Sequence, residues 1–167
     1  MATGPRFRVH FRRRREGKTD FRRRRNMLRT ELPRAIVRNT LRYTIVQFAT
    51  YDPKGDVILA AATTKELEKF GWKGPTGNTT SAYLAGYLAG KRALAKDVEE
   101  AILDIGLASP AKGSKVFAAL KGMVDAGIEI PHDEGVLPSD DRIKGAHLKT
   151  PPGEMFEKTI KKLEEAR

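Results

Sequence analysis

The positive charge of this chain is gathered at one end, and that limits what can fold. Residues 1–42 hold 15 Lys+Arg against 3 acids, whereas residues 43–167 hold 17 against 18. The whole formal excess of +11 therefore belongs to the first quarter of the chain. Within it, Phe11-Arg12-Arg13-Arg14-Arg15 recurs ten residues later as Phe21-Arg22-Arg23-Arg24-Arg25. Adjacent arginines repel, so this arm is expected to be disordered or only nascently helical when alone. The packed unit must be built from the residues beyond the arm.

The kind of positive charge narrows the partner. Of the 15 basic residues in the first quarter, 14 are Arg and only Lys18 is Lys. A guanidinium is a flat five-donor fork that grips phosphate bidentately and stacks on bases. A solubility surface would mix signs and use Lys freely. A basic arm can also be a localisation signal, a membrane-surface patch or a DNA-coating tail. A membrane patch usually adds an amphipathic apolar face, and none is visible here. Phe7, Phe11 and Phe21 interleave with the arginines, placed either to stack on bases or to pack onto the body. Aromatics in that setting suit irregular RNA, where unstacked bases are available. An RNA partner is therefore the favoured expectation.

The chain of 167 residues has 40% hydrophobic content, enough for one core. It has no cysteine, which excludes disulfides, a thiolate zinc site and a cysteine nucleophile. No apolar run approaches the roughly 18 residues of a membrane span. The N-terminus shows no apolar signal region. These features predict a soluble intracellular protein.

Ala35–Thr40 and Tyr43–Tyr51 read as strands, and Asp52-Pro53-Lys54-Gly55 as a turn into a third strand, Asp56–Ala62. Together they predict an antiparallel meander. Thr63 with Glu66 fits a capping box that opens a short helix to about Phe70. Gly71–Asn78 is a loop, after which Thr79 or Thr80 caps a helix to about Lys96. Ala101–Leu107 reads as a short buried strand. Ser114 caps a further helix that stops at Gly127, and Ile128–Pro131 reads as a last strand. The order predicts an α/β (α+β) fold with a mixed, mostly antiparallel sheet and packed helices. The divisions expected are an Arg-rich extension over 1–30, a body over 31–131, and an irregular segment over 132–167. A terminal helix from Glu154 would need a partner surface, because it carries few apolar residues.

No catalytic cluster stands out. His10, His132 and His147 lie in the arm and the late irregular segment. The loop Gly71–Gly77 lacks the run that makes a nucleotide-binding loop. His132-Asp133-Glu134 could bind a metal but reads better as a polar loop, and Asp104 is the one carboxylate that invites suspicion of a metal-dependent nuclease, with Asp56 and Asp125 as conceivable partners. Turn, cap and surface roles explain those three more simply. An RNA-processing enzyme of that kind, or a general nucleic-acid-coating protein, are the alternatives to a structural RNA-binding role. No cofactor or metal is expected.

The body carries a specific ordered set of segments: Pro33–Phe48 (PRAIVRNTLRYTIVQF), Tyr51–Gly74, Asn78–Leu94 (NTTSAYLAGYLAGKRAL), Glu100–Leu107 (EAILDIGL) and Lys112–Glu134. With the Gly-Pro-Arg-Phe-Arg-Val opening, they resemble the universal 5S-rRNA-binding family of the large ribosomal subunit, the eighteenth large-subunit family, in its archaeal form. The likeness covers roughly residues 4–150. It implies a non-catalytic protein that binds 5S rRNA and touches 23S rRNA in the central protuberance. It also implies a neighbouring ribosomal protein of the fifth large-subunit family as partner. No membrane and no small-molecule substrate are implied.

By matched position the resemblance implies RNA contacts along the arm, at Arg6, Arg8, Arg12, Arg13, Arg14, Arg15, Lys18, Arg22, Arg23, Arg24, Arg25 and Arg29. It implies others at Arg34, Arg38 and Thr40 on the first strand, at Asn78, and at Lys112, Gly113, Ser114 and Lys115. Where many relatives carry Asn after the hydroxyl residue, this chain has Leu41.

Overall fold

A computed structural model describes residues 4–148 and 152–165. Three strands form the meander: β1 (Arg34–Asn39), β2 (Thr44–Thr50) and β3 (Val57–Thr63). They pair antiparallel, with Ile36 opposite Gln47 and Val46 opposite Ala62. A fourth strand, β4 (Ile102–Asp104), pairs parallel to β1, so the sheet is mixed, in the order β3-β2-β1-β4. Residues on a strand alternate between faces. On β1 this turns Ala35 and Val37 into the core and leaves Arg34, Ile36 and Arg38 on the opposite face.

The chain opens with two short helices in the arm, α1 (Arg12–Arg15) and α2 (Phe21–Met27). Two longer helices cover the core face of the sheet. They are α3 (Thr79–Leu94) and α4 (Lys115–Asp125), which pack on each other through their small residues. A Cβ at Gly86 would strike the Ala119 carbonyl, and one at Gly90 would come within 2.7 Å of the Ala126 Cβ. The Gly-x-x-x-Gly spacing therefore serves close helix–helix approach. Trp72, Phe48, Leu84, Leu88, Leu120 and Met123 fill the space between helices and sheet.

Several expected boundaries shift. The capping box at Thr63 and Glu66 is present, but the turn it opens, Thr64–Phe70, is 3-10 rather than α. The cap of α3 is Asn78, not Thr79 or Thr80: its Oδ1 accepts the Ser81 N–H at 2.8 Å. The buried strand expected at Ala101–Leu107 is cut to three residues, because the chain turns at Gly106 with φ of 63°. Ile128 and Ile130 are buried, yet their segment is not a strand; it makes only a single parallel bridge, Glu129 to Glu100.

The segment after Pro131 is more ordered than its composition predicts. It holds a 3-10 turn at Glu134–Val136 and a short helix, α5 (Asp140–Ile143), whose Ile143 is buried. The terminal helix α6 (Gly153–Glu165) finds its partner surface on α3 and the Thr64–Phe70 turn. Phe156 lies against Tyr83, ring centroids 5.8 Å apart, and Leu163 is fully buried.

Candidate nucleic-acid interface

Helices α1 and α2 give the arm more structure than an isolated arginine run should hold, and three contacts account for it. Asp20 caps α2, its Oδ1 accepting the N–H groups of Arg22 at 3.0 Å and Arg23 at 3.2 Å. Those bonds, led by the Arg23 N–H, hold the Asp20 carboxyl below its ordinary pKa. Phe11 and Phe21, the leading residues of the repeat, meet at 5.4 Å between ring centroids. Arg24 leaves the arm and donates to both oxygens of Asp56, at 2.8 and 2.9 Å.

Asp56 opens onto a chain of ion pairs along the outer sheet face. Its Oδ2 also accepts from Arg34 Nη2 at 2.6 Å. Arg34 Nη1 donates to Asp104 Oδ2 at 2.9 Å, and Arg38 Nη2 donates to Asp104 Oδ1 at 2.9 Å. The strand register produces this. Parallel pairing sets Asp104 opposite Ile36, two residues from Arg34 and two from Arg38 on the same face. Asp104 also accepts the Gly106 N–H, which fixes its rotamer at the turn. Between this face and the arm lies a cleft of about 470 Å³, floored in part by Ile36, Leu103 and Ile105 and rimmed by Arg13, Lys18, Arg23 and Arg38.

The expected contact residues divide into three groups by exposure. Arg6, Arg8, Arg12, Arg13, Arg14, Arg15, Arg22, Arg23, Arg25 and Arg29 lie on the outside of the arm with Lys18. Arg24 and Arg38 are partly buried and paired. Arg34 is only 2% exposed, with both terminal nitrogens on carboxylates, so in the free chain it offers no guanidinium to a partner. Thr40 is exposed, but its hydroxyl closes the β1–β2 turn with Tyr43, beside a fully exposed Leu41.

A second basic region forms where α3 and α4 begin. Lys115 Nζ donates to the Gly77 carbonyl at 3.2 Å, tying the start of α4 to the loop that leads into α3. Gly113 takes φ of 66° and its N–H donates to the Val136 carbonyl. Ser114 holds the N-cap position of α4 without a side-chain cap bond, and its buried Oγ has no partner among the described residues. Lys112 is exposed beside it. The start of α4 has no side-chain cap, so its first backbone N–H groups favour an anion, whereas the first turn of α3 is buried and capped by Asn78.

Two residues that organise this region carry no clear local signal in the sequence. Asp56 reads only as the first residue of the third strand. Asp104 reads as an isolated carboxylate, and the suspicion of a metal set with Asp56 and Asp125 gives way to arginine partners for the first two and the Tyr83 hydroxyl for the third. Asp20, by contrast, is findable: an Asp just before a helical run is a capping signature.

An exposed arginine arm tied to the sheet through Asp56 is the build of a basic protein suited to a polyanionic partner. Known proteins give the class a family. A family model described as "Ribosomal large subunit proteins 60S L5, and 50S L18" matches residues 5–100 and 95–133. The "Large ribosomal subunit protein uL18" of Methanothermobacter thermautotrophicus is 55% identical over 148 residues, covering 89% of this chain and 77% of that protein. The chain belongs to the uL18 family of large-subunit ribosomal proteins. The family is structural rather than enzymatic, and its place is the large subunit of the cytoplasmic ribosome.

Proposed function

We propose that the chain binds 5S rRNA and helps to attach it to 23S rRNA in the central protuberance, beside the neighbouring ribosomal protein of the fifth large-subunit family. The observation that carries this reading is the arm. Its outward side is a dense array of exposed guanidiniums, while the body behind it is nearly neutral. Charge placed this way serves one docking surface rather than general coating. In this reading residues 1–30 are the RNA-binding extension, 31–131 the body, and 132–167 a C-terminal segment with a terminal helix.

Within this reading the exposed arm residues meet phosphates directly. Arg34 acts from within the ion-pair chain, holding its neighbours. Lys112 and the starts of α3 and α4, with Asn78, Gly113, Ser114 and Lys115, form a second contact. If six arm arginines each neutralise one phosphate, log K falls against log salt with a slope of about −4 to −5.

The test replaces Arg12–Arg15 together with Arg22, Arg23 and Arg25 by Gln, leaving Arg24 on Asp56. The expected result is an unchanged circular-dichroism spectrum for the body, a 5S rRNA affinity at least about a hundredfold weaker, and a flattened salt slope. Unchanged affinity contradicts the reading.

A further inference from the structure

A carboxylate inside an RNA-facing surface should hinder binding, because it repels the phosphates that the arginines attract. Asp56 sits in such a surface and touches both halves of the chain: Arg24 of the arm and Arg34 of the sheet. We propose that Asp56 is a positioning residue for RNA binding, which holds α2 folded and docked on the outer sheet face in the free chain. The inference rests on the RNA-binding reading above and adds a mechanism to it.

Helix α2 is seven residues long, too short to be stable in water by itself, and four consecutive arginines work against it. Asp20 caps its first turn through bonds that stay within the arm. The ion pair that ties α2 to the body is the two-oxygen grip of Asp56 on Arg24, made across 32 residues of sequence. Asp56 is itself held in place. Arg34 fixes its Oδ2, and the buried Asp104 fixes Arg34. A fixed carboxylate thus transmits the geometry of the sheet to the arm.

The consequence is preorganisation. With Arg24 turned inward, Arg22, Arg23 and Arg25 remain exposed at set positions. An arm that arrives ordered loses less conformational freedom on binding than one that must fold there. The two effects of Asp56 have opposite signs. Its charge repels RNA, while its grip keeps the cationic helix aligned, and the proposal is that the grip dominates.

The experiment compares the full-length chain with Asp56→Asn, Asp56→Glu and Asp52→Asn. Asp52 lies in the neighbouring turn, where its Oδ1 accepts the Lys54 N–H, and the same charge is removed without breaking an arginine pair. Each protein is digested briefly with trypsin in the absence of RNA, and each is titrated with 5S rRNA. The expected outcome is that Asp56→Asn is cut about tenfold faster after Arg22, Arg23 and Arg25 and binds 5S rRNA about tenfold more weakly. Asp56→Glu should recover most of both losses, and Asp52→Asn should match or slightly exceed the parent. An Asp56→Asn chain that is equally protected, or that binds as tightly as the parent or more so, overturns the proposal. Should that variant fail to fold, Arg24→Gln leaves the Arg34–Asp104 pair intact and takes its place in the digestion, where unchanged protection is the overturning result. The digestion contains no RNA, so a parent chain with no affinity for 5S rRNA would refute the proposed function without deciding the docking.

Discussion

Arg34 on β1 and Asp104 on β4 form an ion pair of 2.9 Å at side-chain exposures of 2% and 5%. Parallel pairing of a three-residue strand would be weak alone. The pair adds a side-chain bond across that ladder, and Asp104 spreads its charge over Arg34, Arg38 and the Gly106 N–H. Removing one member leaves the other buried with one charged partner fewer: Arg34 keeps Asp56, and Asp104 keeps Arg38.

Asp104→Ala should therefore destabilise the fold, but by less than the about 3–5 kcal/mol of a fully orphaned buried charge, because Arg34 keeps its pair with Asp56. Arg34→Met should cost a similar amount. The double variant should cost clearly less than the sum, because the bond between the two residues is then lost only once. Urea unfolding of the three chains measures this, and strict additivity would show that the two residues act independently.

Much of the frame is legible in the sequence because it is local. The β-branched residues Ile36 and Val37 mark β1, Thr63 with Glu66 marks a helical start, and Gly127 marks a helical end. Ile128 and Ile130 mislead for a physical reason: burial against the helices demands apolar residues just as a strand does, and only Glu129 finds a ladder partner. The arm's docking is not legible at all. Arg24–Asp56 and Arg34–Asp104 join residues 32 and 70 positions apart, and no spacing in the sequence announces such pairs. The arginine run itself is plain, since charge segregation needs no tertiary structure to be seen.

Gly86→Ala tests the helix contact. Its Cβ would strike the Ala119 carbonyl, which is backbone and cannot swing aside. We expect a loss of about 1–3 kcal/mol from overpacking. Gly153→Ala, at the start of α6 with nothing among the described residues within 4 Å of the added carbon, is the control and should not lose stability. Thermal midpoints of both variants decide the matter; equal midpoints would mean α3 and α4 are less closely fitted than described.

Tyr83 gives a pH signature. Burial, then its hydrogen bond to Asp125, raise its pKa well above the ordinary value of 10.0. The phenol of the unfolded chain ionises first, so this residue's contribution to stability is complete below pH 10 and declines as pH rises above it. In an ultraviolet alkaline titration of the folded chain, Tyr83, one of four tyrosines, should lag behind the ordinary range. Tyr83→Phe should remove that late fraction. A parent chain whose four tyrosines all titrate together near pH 10 would contradict the buried pair.

The central claim is that a shaped body and a docked arginine arm act together on one RNA. A salt-titrated competition measures this most directly, with the full-length chain on 5S rRNA and with tRNA and duplex DNA as competitors. The account predicts a preference for 5S rRNA of about a thousandfold that survives moderate salt, because body and arm together read shape as well as charge. Equal, steeply salt-sensitive binding to all three would mean that only the arginines engage nucleic acid, and would contradict the account.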